Sequence, residues 1–466
     1  TGRRVFIWWC KRMLFCFEFV WSGLRFAVLG MYQEWVLGMS LCLLCVGMAY
    51  GQEGVEPYGV SSAFAGRNGD AMAVMWSTLD EAQDNTVTYG TSPDGLTLTV
   101  PTNTTQYYRS YQHVAHLPDL APDTEYYYSV VSDGVTSGPH TFRTARKAGD
   151  AVPFTIAIYG DMGISQSKDT FLQLRKLDVD WFFHVGDISY ADDHNTANPG
   201  AYESTWNTFQ TVMQDVTSKQ AYMVCPGNHE AACMLAGATG CPDELKNFTA
   251  YRNRFHMPYE ESGSNTNMWY SFDYGMVHFV SISSETDYDK APEGPRTLFR
   301  SGPFGDQIAW LQADLAAANL NRDVTPWIVV VAHRPLYSSA LDDFPLRAKK
   351  NLRAAIEDIL YENNVDAYFC GHVHAYERMY PVYDNNVDSN GYDNPRALTQ
   401  IVIGNAGNIE GHSKFSKNQP DYVAYRNRED YGYGTLTFHN TTTMTFDMRR
   451  ATDSFIVDSF SLFRQH

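Results

Sequence analysis

VDWFFHVGDISY, residues 179–190, is a continuous apolar run that breaks into Gly-Asp and a polar turn. A half-buried strand alternates apolar and polar side chains, whereas a strand covered on both faces does not. The run therefore reads as an interior strand with a loop at its carboxyl end. The same grammar recurs in FTIAIYGDMG (154–163), AYMVCPGNHE (221–230), MVHFVSISSE (276–285), PWIVVVAHRP (326–335) and VDAYFCGHVH (365–374). Between the last two lies LRAAIEDILYENN (352–364), a good crossover helix. Buried strands alternating with helices predict an α/β domain.

Upstream the pattern differs. From about 55 to 146 the chain consists of short alternating runs separated by turn residues, among them AMAVMWSTL, NTVTYGTS and TEYYYSVVSDG, with no helical stretch. Such spacing reads as a β-sandwich, and LAPDTEYYYSV (120–130) resembles the corner-and-strand segment of fibronectin type III-like domains. The boundaries are set at 52–146 for this module and 147–466 for the α/β domain. The module is read as a structural appendage, with substrate gating or a homodimer contact as its functional alternatives. The closing segments YGTLTFHNTTTMTFDMRR and DSFIVDSFSLF are again strand-like and are expected to close the second sheet of the α/β domain.

A chain of 466 residues is too long for one typical core, and 44% hydrophobic with 19% charged residues is ordinary globular material. Its formal charge of −18 excludes a surface built for nucleic acid or anionic membranes. An anionic substrate would have to be attracted by a local positive source such as bound metal. Residues 36–51, VLGMSLCLLCVGMAYG, have the apolar core and small-residue end of a signal peptide that could start at Met31. Residues 1–51 are accordingly read as upstream sequence and signal, with a mature chain near Gln52. The run is too short to span a membrane, so no stable membrane insertion is expected and the destination is secreted, extracellular or lysosomal.

Of the cysteines beyond that point, Cys233 and Cys241 flank a short Gly-containing loop that suits a local disulfide, whereas Cys225 and Cys370 read as buried thiols. Three sequons, at Asn103, Asn247 and Asn440, agree with glycosylation on a secretory route.

Five of the six apolar runs end in groups able to bind metal: Asp161; Asp187 with Tyr190; Asn228 with His229; His333; and His372 with His374. In α/β sheets, ligands assemble beside the carboxyl ends of strands, so these residues are expected to meet. A lone Gly-Asp is more often a turn or helix cap, and a lone strand-end His is more often a satisfied polar group. His113, His116, His184 and His278 take that reading. Two carboxylates, three imidazoles, an amide and a phenol exceed the needs of one ion and suit a two-metal site with one bridging carboxylate. A phenol with a pKa near ~10 resists ionisation at neutral pH, so Tyr190 argues for Fe(III) at one position.

GDMG, GDISY, GNHE, VVAH and GHVH, in this order and spacing, resemble the five signature blocks of the purple acid phosphatases within the metallophosphoesterase superfamily. GHVHAYER, GNAGNIEG and YGYGTLTFHNTTTM extend the likeness, which runs from about 55 to 464 and includes the β module of the long, two-domain members. The resemblance implies two sheets flanked by helices. It implies Asp161, Tyr190 and His374 on Fe(III), Asn228, His333 and His372 on a divalent zinc, manganese or iron, and Asp187 between them, with Gly371 letting the backbone turn. It implies an acid phosphatase that hydrolyses small phosphomonoesters through attack by a hydroxide held at that centre. Asn228 and His229 would contact the phosphate, His229 would help protonate the leaving group, and Glu230 would orient His229.

One departure concerns SSALDDFPLR (338–347), which lacks the histidines that many long members carry there. Asp342, Asp343, Tyr337 or Arg347 could substitute, or His229 could act alone. Two other readings stay open. One is a phosphodiesterase or nucleotide pyrophosphatase on the same frame. The other is a catalytically silent metal-binding glycoprotein, which would be marked by lost ligands.

Overall fold

A computed structural model describes residues 54–66, 69–193, 199–233, 241–292, 301–341 and 347–466. The signal-peptide reading, Asp342 and Asp343 lie outside these residues. No helix among the described residues is long and apolar enough to cross a membrane.

Eight strands, β1 (Tyr58–Ala65), β2 (Ala71–Thr78), β3 (Asn85–Gly90), β4 (Leu98–Pro101), β5 (Asn103–Tyr107), β6 (Ser110–Leu117), β7 (Glu125–Ser132) and β8 (Val135–Arg143), form two four-stranded sheets ordered β1-β2-β6-β5 and β4-β3-β7-β8. All of their pairings are antiparallel, both the hairpins and the long-range pairs β2–β6 and β3–β7. The Tyr126 hydroxyl accepts a hydrogen bond from the Ala121 amide at 3.0 Å, pinning the corner before β7 (Glu125–Ser132). His113 is buried between the hydroxyls of Thr78 and Thr104, each 2.9 Å from a ring nitrogen. His116 meets His256 edge to face.

The α/β part holds two further sheets. β9 (Phe154–Tyr159), β10 (Trp181–Val185) and β11 (Tyr222–Cys225) run parallel, linked by α1 (Lys168–Leu174) and α2 (Pro199–Thr217). β12 (Tyr270–Tyr274) leads antiparallel into β13 (Val277–Ser281), which runs parallel to β14 (Trp327–Val331) and β15 (Ala367–Cys370). α3 (Thr249–Arg254) precedes β12, and the crossovers between the parallel strands are α4 (Gln307–Asn319) and α5 (Ala348–Glu362). Asp306 caps α4 by accepting the Ala309 amide at 3.0 Å. Leu352, Ile356 and Leu360 form the buried stripe of α5.

The two sheets pack face to face. Alternation along β13 and β14 sends Phe279, Val329 and Val331 into the inter-sheet core, and Val280, Ile328 and Val330 under α4 and α5. Trp181 of β10 meets Phe279 of β13 edge-on at 4.9 Å. Covering on both faces is the physical reason these strands read as unbroken apolar runs.

The C-terminal strands β21 (Gly432–Asn440), β22 (Thr443–Arg450) and β23 (Ile456–Phe463) join the sheet of β9 through an antiparallel β9–β21 pairing. Before them, β16 (Tyr376–Met379), β19 (Thr399–Ile403) and β20 (Val423–Asn427) complete the sheet of β13–β15, with β17 (Val382–Tyr383) and β18 (Asn386–Val387) forming a separate hairpin. The β-sandwich is packed firmly onto this frame. α2 lies along β1, where Gln214 accepts the Val60 amide and Thr217 donates to the Val60 carbonyl. Fully buried Arg254 pairs with Glu203 at 2.7 Å, and Glu203 also accepts the Tyr107 hydroxyl of the sandwich.

Cys233 and Cys241 are joined by a disulfide, and Cys225 and Cys370 are buried free thiols. Asn103 and Asn440 are exposed. Asn247 is half-buried and accepts the Gly302 amide.

His278 lies between Asp273 (2.7 Å) and Asp314 (3.0 Å). Burial opposes charge on the ring, yet hydrogen bonds to both carboxylates outweigh it and hold the pKa at about 9. A histidine raised above its ordinary 6.5 contributes stability that is complete below that pH and is lost as pH rises through 9. His278→Gln is therefore expected to destabilise the protein by about 3 kcal/mol at pH 5.5. The deficit against wild type should shrink between pH 6.5 and 9, as read by denaturant melts. A deficit independent of pH would show that the imidazole is neutral there.

Candidate metal centre

The carboxyl ends of β9, β10 and β11 in one sheet and of β14 and β15 in the other open onto the same place. Asp161, Asp187, Tyr190, Asn228, His333, His372 and His374 all reach it. Asp161, Asp187, Tyr190 and His333 are fully buried, while Asn228 and His372 keep partial exposure and mark its open side.

Two groups of donors converge here, Asp161 with Asp187 and His374, and Asp187 with His333 and His372, each with its ligand atoms within 4.8 Å of one another. Asp187 belongs to both. The Tyr190 hydroxyl donates to Asp161 Oδ1 at 3.1 Å and lies 3.0 Å from His374 Nε2 and 3.5 Å from Asp187 Oδ2. His333 Nε2 sits 3.0 Å from Asp187 Oδ2 and 3.2 Å from Asn228 Oδ1.

The backbone is bent to achieve this. Asp161, Asp187, Tyr190 and His372 all have φ between +49° and +67°, a left-handed conformation that costs energy outside glycine and gathers at functional sites. Two glycines, one before Asn228 and one before His372, solve a space problem. A Cβ on Gly227 would lie 2.3 Å from Asp187 Oδ1, and one on Gly371 would lie 2.2 Å from Asp161 Oδ2. Gly371 does not itself supply the turn expected of it; His372, at φ +67°, does. Its hydrogen gives the Asp161 carboxylate room to accept the His372 amide at 2.9 Å.

Hydrogen bonds assign the imidazole tautomers. His333 Nδ1 donates to the Val185 carbonyl and His374 Nδ1 to the Gly411 carbonyl, at 3.0 and 3.1 Å. His372 Nε2 accepts from Arg334 Nη1 at 2.7 Å. The Nε2 atoms of His333 and His374 thus face the centre, whereas His372 Nε2 faces Arg334. With its proton on Nδ1, His333 sets a lone pair against oxygen lone pairs of Asp187 and Asn228, a contact that requires a proton or a cation between them.

The electrostatics agree. Burial opposes a charged His333, but Asp187 and Asp161 overcome it and raise the pKa to about 9. Burial also opposes ionisation of Asp187, yet His333 and His229 hold it well below the usual carboxylate range. Burial, then Asp161 and Asp187, push the Tyr190 phenol well up, so only a strong Lewis acid could draw off its proton. A hard oxygen-rich set on one side of Asp187 and imidazoles with an amide on the other fit a pair of metal ions.

His229 stands beside this set. Its Nδ1 is 3.0 Å from both oxygens of buried Asp192, its ring packs 4.2 Å from that of Tyr190, and its Nε2 lies 3.8 Å from Asp187. The orienting carboxylate is therefore Asp192, not Glu230. Glu230 instead accepts the backbone amides of Asp187, Ile188 and Gly227 at 2.8–2.9 Å, tying two ligand loops together.

Three residues near the centre were not singled out from sequence: Asp192, Arg334 and Glu410. Asp192 could have been noticed as an acid two residues beyond Tyr190, and Arg334 as a base directly after His333. Exposed Glu410, whose carboxylate lies 3.8–3.9 Å from His374 and His229, belongs to the GNAGNIEG block (404–411), which was noted for its likeness but not for this side chain. Tyr337 does not face the centre; its hydroxyl donates to Glu357. Arg347 sits at the start of α5.

Residues 154–376 match the family profile described as calcineurin-like phosphoesterase, residues 57–144 the purple acid phosphatase N-terminal domain, and residues 397–459 the iron/zinc purple acid phosphatase-like protein C domain. The chain is 33% identical to an acid phosphatase of Aspergillus ficuum, over 88% of this chain and 83% of that one. It is 32% identical to purple acid phosphatase 18 of Arabidopsis thaliana, over 82% and 79%. In fold it is similar to the purple acid phosphatase PPD1 of yellow lupin, with a TM-score of 0.70 at 23% identity over 88% of this chain and 75% of that one. Three profiles in the order of the sandwich, the parallel strands and the closing strands, with relatives matched over most of their length, establish that this chain belongs to the purple acid phosphatase family.

Proposed function

We propose that the protein is an acid phosphatase that hydrolyses phosphomonoesters at a dinuclear Fe(III)–M(II) centre, M being zinc, manganese or iron. The observation that carries the reading is the pair of donor groups sharing Asp187. Asp161, Tyr190 and His374 would hold the ferric ion, Asn228, His333 and His372 the divalent ion, and Asp187 both. Bound there, the ions would supply Lewis-acid polarisation of the phosphate ester and neutralise charge as phosphorus is attacked.

The protein's own groups do the rest. Asp187 joins the two halves while accepting the His229 amide at 2.8 Å, which couples the ligand loop to the acid–base residue. Asp192 fixes the His229 ring so that Nε2 faces Asp187 and the exposed Glu410, where it would meet a leaving-group oxygen. With the Tyr337 hydroxyl turned to Glu357 and Asp342 and Asp343 outside the described residues, His229 is the proton donor that the geometry favours. Asn228 and His372, at the rim, are where the phosphate would enter.

The Aspergillus and Arabidopsis relatives bear names of the same activity. Exposed sequons at Asn103 and Asn440, together with the Cys233–Cys241 disulfide, support glycosylation and a secretory, extracellular or lysosomal setting.

Metal analysis and turnover of the purified protein at acid pH test the reading together. Two ions per chain, one of them iron, and faster hydrolysis of p-nitrophenyl phosphate than of its bis-ester are expected. Preference for the diester would move the chain to phosphodiesterase chemistry, and a metal-free folded chain would leave only a binding role.

A further inference from the structure

Glu410 is an exposed acid beside the centre that belongs to neither donor group there. Its Oε2 lies 3.9 Å from His229 Nε2 and 3.8 Å from His374 Nε2, on the side of the proposed proton donor. The chain after it is tied to His374 three times. The Gly411 carbonyl accepts the His374 Nδ1 at 3.1 Å, the Ser413 hydroxyl accepts the His374 amide at 2.9 Å, and the Ser413 amide donates to the His374 carbonyl at 3.1 Å. The chain before it is clamped to the loop after Asp161. Gln166 donates its amide to the Gly407 carbonyl and its side chain to the Asn408 carbonyl, both at 3.0 Å, and a Cβ on Gly407 would lie 2.6 Å from the Ser167 Cα. A backbone held on both sides makes this carboxylate a fixed part of the site despite its exposure.

A second carboxylate stands near the same ring. Half-buried Asp193 forms with Asp192 and His229 a group whose polar atoms lie within 4.8 Å of one another. Asp192 is engaged by His229 Nδ1. Among the described residues, neither Asp193 nor Glu410 forms an ion pair with a lysine or an arginine. Two carboxylates beside the proton donor disfavour an alcohol that carries negative charge and favour one that carries a cation. Under the assignment of His229 as proton donor, on which this inference rests, the ester oxygen sits about 2.9 Å from Nε2. An ammonium two carbons from that oxygen lies about 3–4 Å from it in the staggered conformers. That reach brings its N–H groups within bonding distance of Glu410 Oε2.

We infer that Glu410, assisted by Asp193, selects phosphomonoesters of amino alcohols whose ammonium lies two carbons from the ester oxygen. Glu410 is a specificity residue that recognises the departing alcohol, whereas Asn228 and His372 meet the phosphate.

The test compares kcat/KM of the metal-loaded enzyme at pH 6 for 2-aminoethyl phosphate and 2-hydroxyethyl phosphate, which differ only in the distal group. The ammonium also makes its alcohol the better leaving group, but that advantage is the same in every variant, so the change in the ratio is the reading. Glu410→Gln should lower the ratio of the two at least ~5-fold, and Asp193→Asn should lower it by ~2-fold. Glu410→Asp, which keeps the charge, should retain most of the preference. A Glu410→Gln ratio within ~2-fold of wild type, in a protein that still hydrolyses p-nitrophenyl phosphate, overturns this inference and leaves the phosphatase reading standing. A wild type that cleaves none of the three esters overturns both.

Discussion

Asp187→Asn should purify as a folded protein that holds less than one metal ion per chain and hydrolyses phosphomonoesters at least ~10³-fold more slowly than wild type. The substitution is isosteric and keeps an oxygen to accept the His229 amide, now 2.8 Å from Oδ1, so the loop after β11 has no reason to move. What it removes is the charge common to both donor groups. Loss of a single preorganised electrostatic element already costs ~10²–10³ in rate, and this one would serve both ions. Burial disfavours the Asp187 carboxylate, yet His333 and His229 hold it well below its ordinary range, so its charge stabilises the fold at neutral pH and the metal-free variant should melt below metal-free wild type. Metal content by plasma emission, with circular dichroism as the folding control, decides the point. A variant that retains both ions would sink the bridging assignment.

Tyr190→Phe should lose the visible absorption of a tyrosinate–Fe(III) pair outright. The phenol is fully buried and its ring packs 4.2 Å from the His229 ring, so phenylalanine preserves the packing and deletes only the oxygen 3.0 Å from His374 Nε2 and 3.1 Å from Asp161 Oδ1. Burial, Asp161 and Asp187 together raise the phenol pKa. Ionisation there consequently reports a strong Lewis acid and nothing weaker. A Tyr190→Phe protein that stays coloured would mean another group donates the charge. A colourless wild type with two zinc or manganese ions would keep the centre and remove iron from it.

Much of this was legible in the chain because it is local. An apolar run without alternation means a strand covered twice, whichever strands cover it, and a polar group at its end is placed at the sheet's edge by chain geometry alone. The α/β class and the family resemblance followed from such runs and from the short blocks that end them. Less local relations were misjudged or missed. Glu230 sits next to His229 in sequence, yet the fold turns its carboxylate to the amides of Asp187 and Ile188, some forty residues upstream. The orienting role falls to Asp192, which sequence reading passed over. The pairing of β21 with β9, which attaches the C-terminal strands to the first sheet, spans most of the α/β part, and strand periodicity carries no information about partner choice.

Sequence by itself determined the class of fold, the interior strands, the residues at their ends, and which cysteines pair. Tertiary structure decided which ends face each other, that His333 and His374 turn Nε2 inward, and that Glu285 brings Arg334 against His372 and Asn228. The division has one physical cause. Burial and side-chain period are properties of each segment, but lone-pair direction and charge competition depend on distances of about 3 Å. Only two packed sheets, bent at four left-handed residues, bring those atoms so close.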